Sequence, residues 1–144
     1  MTLDRIISFL FRLFWRVVPL RRRKLTPEGC AKGDPLEGVY LPERFTILDA
    51  CVSVTGRVRD DIHEADDGDL TFGLYLASED AWMVNDVNRA HYDGALHIEI
   101  VPMDRPRVRV PKPGEKVKVT GPHVTDNPHG HNEIHPVYRI EVQN

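Results

Sequence analysis

Cysteine is scarce in this chain: two in 144 residues, Cys30 and Cys51, with no C-x-x-C between them. That excludes a scaffold built from disulfides, and it fits a reducing compartment at least as well as a single bridge. Uninterrupted apolar runs long enough for several membrane spans are missing too. No G-x-S-x-G, phosphate-binding P-loop or dinucleotide-binding glycine pattern occurs, so the common serine-nucleophile and nucleotide-binding templates have no support. Aromatic residues make up 8%, which leaves few platforms for stacking bases. With 41% hydrophobic and 28% charged residues, the chain is neither collagen-like nor disordered, and its length suits one domain with an appendage.

Charge is unevenly placed. Residues 1–24 carry seven Lys/Arg against Asp4 alone, a balance of +6. The other 120 residues carry 12 Lys/Arg against 21 Asp/Glu, a balance of −9, which together give the net −3. The arm seeks an anionic surface, and the acidic body is a poor general polyanion binder.

Residues 3–18, LDRIISFLFRLFWRVV, contain no Gly or Pro. At 100° per residue Arg5, Ser8, Arg12 and Arg16 share a narrow face, and apolar residues cover nearly all the rest. Residues 1–19 therefore read as an amphipathic helix ended by Pro19. The arginines inside the apolar run and the basic cluster after it oppose a cleaved signal peptide. Interfacial binding to an anionic membrane fits best, with Phe11, Phe14 and Trp15 inserted and Arg21, Arg22, Arg23 and Lys24 against the headgroups. A single membrane pass is the alternative, and packing against protein or a second copy is the third. If the helix anchors, the positive-inside rule puts the basic flank and the body on the cytoplasmic side. Residues 20–43, basic and then rich in Pro and Gly, read as an irregular linker.

Residues 44–144 alternate with period two. The strand candidates are ACVSVTGRVRD (50–60), TFGLYLAS (71–78), GALHIEIVPM (94–103), KVKVTGPHV (116–124) and EIHPVYRIEVQ (133–143), with a short helix over 81–91 and an acidic tip from Asp60 to Asp69. Gly56 marks a bend or bulge in the first strand. The expectation is an all-β domain, a small five-stranded OB-like barrel, with an SH3-like barrel as alternative and a Pro-rich connection between strands three and four.

Three segments, DDGDLTFGLYL (66–76), VNDVNRAHYDGALHIEIVP (84–102) and GEKVKVTGPHVTDNPHGHNEIHPV (114–137), resemble an uncharacterised family of bacterial OB-fold-like domains. Its pattern holds a D-G-D turn, an L-N-x-x-N…E-I-x-P segment and a closing H-G-W-N-E-I-H-P. The resemblance covers roughly residues 50–142. Val84 stands at the Leu and His131 at the Trp, so His131 is dispensable to any site such a family shares. The resemblance implies a fold and lends no activity.

Four of seven histidines lie between 123 and 135. On an extended segment His131, Glu133 and His135 share one face, with Asn132 and Ile134 on the other. Imidazoles beside carboxylates suit a divalent transition metal such as zinc, manganese or iron. The candidate ligands are Asp126, His129, His131, Glu133 and His135, joined by Asp69 of the acidic tip and Glu99 of strand three. A plain hydrogen-bonded clasp of the tight loop is the first reading of these residues, the metal site the second and a metal-free ligand pocket the third. Arg57 is the basic residue that a phosphoesterase built on this set would use. Arg105, Arg107 and Arg109 form the only candidate track for single-stranded nucleic acid, an unlikely partner for so acidic a body. The expected function is a membrane-tethered cytoplasmic binding or adaptor module with a protein partner or a second copy. A metal-dependent hydrolase and single-strand binding are the alternatives.

Overall fold

The computed structural model describes residues 2–17 and 22–144. Strand β1 runs from Phe45 to Val58. Its register against the later strand Lys116–Asp126 slips between Ile47 and Asp49 and again between Asp49 and Val52, and such bulges bend a strand. Gly56 sits where β1 has a neighbour on each side, opposite Leu76 and Val117. A Cβ there would lie 2.5 Å from the Tyr75 carbonyl oxygen and 2.6 Å from Leu74 Cγ, so the approach requires glycine.

The other strands are β2 (His63–Glu64), β3 (Leu70–Leu76), β4 (Leu96–Ile100), β5 (Lys116–Asp126), β6 (Asn132–Ile134) and β7 (Arg139–Val142). Hydrogen-bonded neighbours follow the order β1–β3–β4–β6–β5, and β5 pairs back with β1. The protein is thus mainly β, with five strands closing a ring and an N-terminal helix, α1 (Leu3–Val17), outside it. Every pair in the ring is antiparallel except β4 with β6. The single strand expected over 133–143 is two pieces, β6 and β7, lying along successive stretches of β5. Pro136, which has no N–H for the ladder, stands between them after a cis bond. The helix expected over 81–91 is a 3₁₀ turn, Ser78–Met83, followed by α2, Asp86–His91.

Alternation decides what faces inward. Phe72, Leu96, Ile98, Val117, Val119 and Ile134 are fully buried in the main core. A second apolar cluster joins Leu36 and Val39 to Phe45, Val101, Met103 and Val124. Residues 22–43, expected as an irregular linker, are therefore partly a packed cover. Cys30 and Cys51 are bridged, with Cα atoms 5.7 Å apart, tying that cover to β1. Of the two readings the sequence leaves open, the structure has the single bridge: a separation of 21 positions hid an approach that only the fold creates.

Arg23 also departs from expectation. It is buried, not facing headgroups, with its Nη2 2.8 Å from Asp104 Oδ2 and 2.6 Å from the Glu37 carbonyl, and its guanidinium lies over the Tyr138 ring. Arg22 and Lys24 are exposed, Arg21 lies outside the described residues, and so does the side chain of Trp15. Ser8 and Arg12 of the α1 polar stripe face the body, while Arg5 is exposed. Arg12 bonds Glu64 at 2.9 Å, Ser8 is buried, and Phe11 meets Tyr40 at 5.2 Å between ring centroids. Leu3, Phe9, Leu10, Leu13 and Phe14 stay exposed. No described helix is long and apolar enough to cross a membrane.

Removing one member of a buried ion pair strands its partner's charge and costs about 3–5 kcal/mol. Asp104→Ala should lower stability by about that much in urea unfolding. The pair Arg23→Met with Asp104→Leu should recover most of it. A loss for Asp104→Ala no greater than the ~1 kcal/mol of a surface pair would show that the contact does not hold the cover in place.

Candidate metal centre

Strands β4 and β6 run parallel with His97 opposite Glu133 and Ile98 opposite Ile134. Because successive side chains leave opposite faces, Ile98 and Ile134 enter the core while His97, Glu99, Glu133 and His135 share the outer face. Asp69 joins them from the residue before β3, the strand on the other side of β4. The segment carrying His131 is held by asparagines. Asn85 caps α2 through its Oδ1 and donates to the Gly130 carbonyl at 2.7 Å. Asn88 accepts from the Asn132 N–H at 2.8 Å and donates to the Asn132 carbonyl at 2.9 Å. Asn132 reaches on to the Met83 carbonyl and accepts from Thr125. The N-x-x-N segment is thus a clamp on the loop before β6.

The outer face carries two triads with potential ligand atoms within 4.8 Å of one another: Asp69, Glu99 and His135, and His97, His131 and Glu133. His135 Nδ1 donates to Glu133 Oε1 at 2.8 Å and lies 3.0 Å from Glu99 Oε2. Its Nε2 lies 3.1 Å from Asp69 Oδ2. Glu133 Oε2 accepts from His131 Nε2 and Glu99 Oε1 from His97 Nε2, both at 2.9 Å. The Phe45 ring packs edge-on to His135, 4.8 Å away. Asp69, Glu133 and His135 are about 1% exposed or less.

Three carboxylates around one buried imidazole set the electrostatics. Burial opposes charge on His135, but Glu99, Asp69 and Glu133 outweigh it and lift its pKa well above the usual histidine range. Burial likewise disfavours ionised Glu99 and Glu133. For Glu99 the His135 charge and the His97 hydrogen bond prevail, and for Glu133 the bonds from His131 and His135 do, so both carboxyls fall below their ordinary range. Asp69 goes the other way, pushed by burial up to about 8, with His135 only partly offsetting it.

Above the cluster opens a cleft of about 500 Å³. Arg44, Asp66, Asp67, Tyr92, His97 and His131 line it. Of the sequence-derived ligands, Asp69, Glu99, His131, Glu133 and His135 converge. Asp126 and His129 pair with each other at 2.6 Å on the cleft wall, where His129 is largely exposed. Sequence reasoning missed His97. Its alternation with Glu99 was visible, but its relevance needed the knowledge that β4 neighbours β6. It missed Arg44 as well. Arg57, the expected basic partner, instead donates to the Gly114 carbonyl away from the cleft. The arginines of the nucleic-acid track are engaged within the chain: Arg105 with Glu64 at 2.6 Å, Arg107 with the Met103 carbonyl at 2.8 Å and Arg109 with Glu115 at 3.0 Å.

No protein-family model matches this chain, and no curated protein does.

The signs of two of these shifts agree on the alkaline side. His135 is protonated in the fold above the pH at which it deprotonates unfolded, so its contribution is full below about pH 6.5 and fades as pH rises through the folded value. Asp69 holds a proton in the fold up to about 8, so its burial costs increasingly more above the unfolded carboxylate range. Metal-free protein should therefore lose thermal stability between about pH 6.5 and 8, with a shallower fall in Asp69→Asn. Melting temperatures that are flat or rising over that interval would contradict the charge arrangement.

Proposed function

We propose that this chain is an OB-like domain that holds a divalent transition metal at Asp69, Glu99 and His135 and rests on a membrane surface through α1. The OB-like assignment is supported by the ring itself. Taking its five members in chain order as one to five, the closure order is 1-2-3-5-4, and the first member is long and bulged.

One observation carries the metal reading: both carboxylate oxygens of Asp69 and Nε2 of His135 are buried without a hydrogen bond. Buried polar atoms are nearly always paired. Here Nε2 and Asp69 Oδ2 are 3.1 Å apart yet misaligned for a hydrogen bond. Two neighbouring ligands of one six-coordinate ion can stand in that relation, because bonds of about 2.1 Å at right angles set their atoms roughly 3 Å apart. Glu133, accepting from Nδ1, fixes the tautomer that leaves Nε2 free to ligate, as partners of metal-bound histidines do.

A second reading, metal-assisted hydrolysis, is favoured by the cleft, which reaches Glu99 and His97 and would leave a coordination position open to substrate. A metal there would supply a bound water of lowered pKa.

The membrane reading is supported by the exposed apolar side of α1. The disulfide favours an oxidising compartment over the cytoplasmic side that the basic flank suggests. Arg23, spent on Asp104, contributes nothing to an anionic surface.

Full-length protein purified without an affinity tag should contain metal by elemental analysis, and after chelation zinc or manganese should raise its melting temperature. His135→Ala and Asp69→Asn should lose that response while keeping a native circular dichroism spectrum. Metal-free protein indifferent to both ions would end the metal reading. For the membrane, the full chain should co-sediment with phosphatidylcholine–phosphatidylglycerol vesicles, and Leu10→Ser with Phe14→Ser should reduce the bound fraction about tenfold. Equal binding by both proteins would remove α1 as the docking element.

A further inference from the structure

The first triad leaves the second unexplained. His97, His131 and Glu133 bring two imidazoles and a carboxylate together beside it. His131 is about 3% exposed, and its Nδ1 is buried without a hydrogen bond. The rings of His97 and His131 meet edge to face at 4.9 Å, which sets two nitrogen donors at the same wall of the cleft. Two imidazoles and one carboxylate are the ligand set of many open zinc sites.

Glu99 connects the triads. Its Oε1 faces His97 Nε2 at 2.9 Å and its Oε2 faces His135 Nδ1 at 3.0 Å. The two oxygens of one carboxylate thus address histidines of different triads. Glu133 repeats the arrangement, Oε2 to His131 and Oε1 to His135. Nδ1 of His135 lies within 3.0 Å of oxygens from two different carboxylates and has one proton to give.

We propose that the cluster is a two-ion centre: an inner ion at Asp69, Glu99 and His135, and an outer ion at His97, His131 and Glu133, with Glu99 bridging them. This rests on the metal reading above and adds the second ion to it. The two positions differ in access. Each triad has one part-exposed member and two buried ones, but His97 and His131 of the outer set both line the cleft, whereas of the inner set only Glu99 does and His135 packs under Phe45. The outer ion is the exchangeable one and the one a ligand in the cleft would meet. Paired ions sharing a carboxylate commonly clamp both the attacking and the leaving oxygen of a phosphate ester, which makes phosphate esters the substrate class to screen.

The test is a manganese titration of chelator-treated, full-length protein, read by elemental analysis after desalting and by electron paramagnetic resonance. Wild type should bind two equivalents and show an exchange-coupled spectrum at the second. His97→Ala should bind one equivalent with an ordinary six-line spectrum. Chelator should strip one equivalent from wild type at least tenfold faster than the other. One equivalent in wild type, with no coupled spectrum, overturns the second ion and leaves the inner site standing. No bound manganese or zinc at all overturns the metal reading itself. Should His97→Ala fail to fold, the wild-type stoichiometry and spectrum decide the matter alone.

Discussion

The parallel contact between β4 and β6 is the constraint on which the rest of this structure depends. It joins the two strands whose alternation separates core from chemistry, with Ile98 beside Ile134 on one face and His97 beside Glu133 on the other. A slip of one residue in that register would bury an imidazole in the core and turn an isoleucine toward the cleft. The asparagine clamp from α2, the cap of that helix and the Thr125–Asn132 bond all converge on the chain entering β6. Polar interactions of this kind define a unique geometry when they are complete. Here they hold the backbone at His131 and Glu133 and so fix where the side chains of the outer face meet.

The cover over that site is assembled from charges and a covalent bond as much as from apolar surface. Leu36 and Val39 supply the apolar part, Arg23 and Asp104 a buried ion pair, and Cys30–Cys51 a tether to the bulged end of β1. Phe45 begins β1 and packs on His135, so the strand that closes the ring also seals the innermost ligand. Asp66, Asp67, Glu99 and Asp126 line the cleft on this face. Glu64 takes both Arg12 and Arg105, whose guanidinium hydrogen bonds hold its carboxyl below the usual range even as partial burial opposes them.

Much of the fold was legible in the residues. Period-two alternation marked the strands that became β1, β3, β4 and β5, and Gly56 was identifiable as a place of bending before its contact with the Tyr75 carbonyl was visible. The shared face of His131, Glu133 and His135 follows from alternation alone, and both Glu133 hydrogen bonds lie along it. What the sequence withheld was adjacency. His97 gains meaning only from a parallel neighbour 36 positions on, and Arg23 only from Asp104, 81 residues away. Local pattern made Arg23 one of a run of basic residues. Tertiary structure selected it for burial because Asp104, Tyr138 and the Glu37 carbonyl could replace its water. The cysteines were unreadable for the same reason.

The inward turn of Ser8 and Arg12 on α1 bears on how the proposed membrane contact would work. An amphipathic helix that shows arginines outward measures the charge density of a surface. In α1, Arg12 is spent on Glu64, and Arg5 and Arg12 border Asp66, so the outward face carries mostly shape and grease. Such a face responds to gaps between acyl chains more than to headgroup sign. If α1 docks on a membrane as proposed, exposed Arg5, Arg22 and Lys24 leave a charge contribution, but the apolar face would make curvature and lipid packing count alongside headgroup charge.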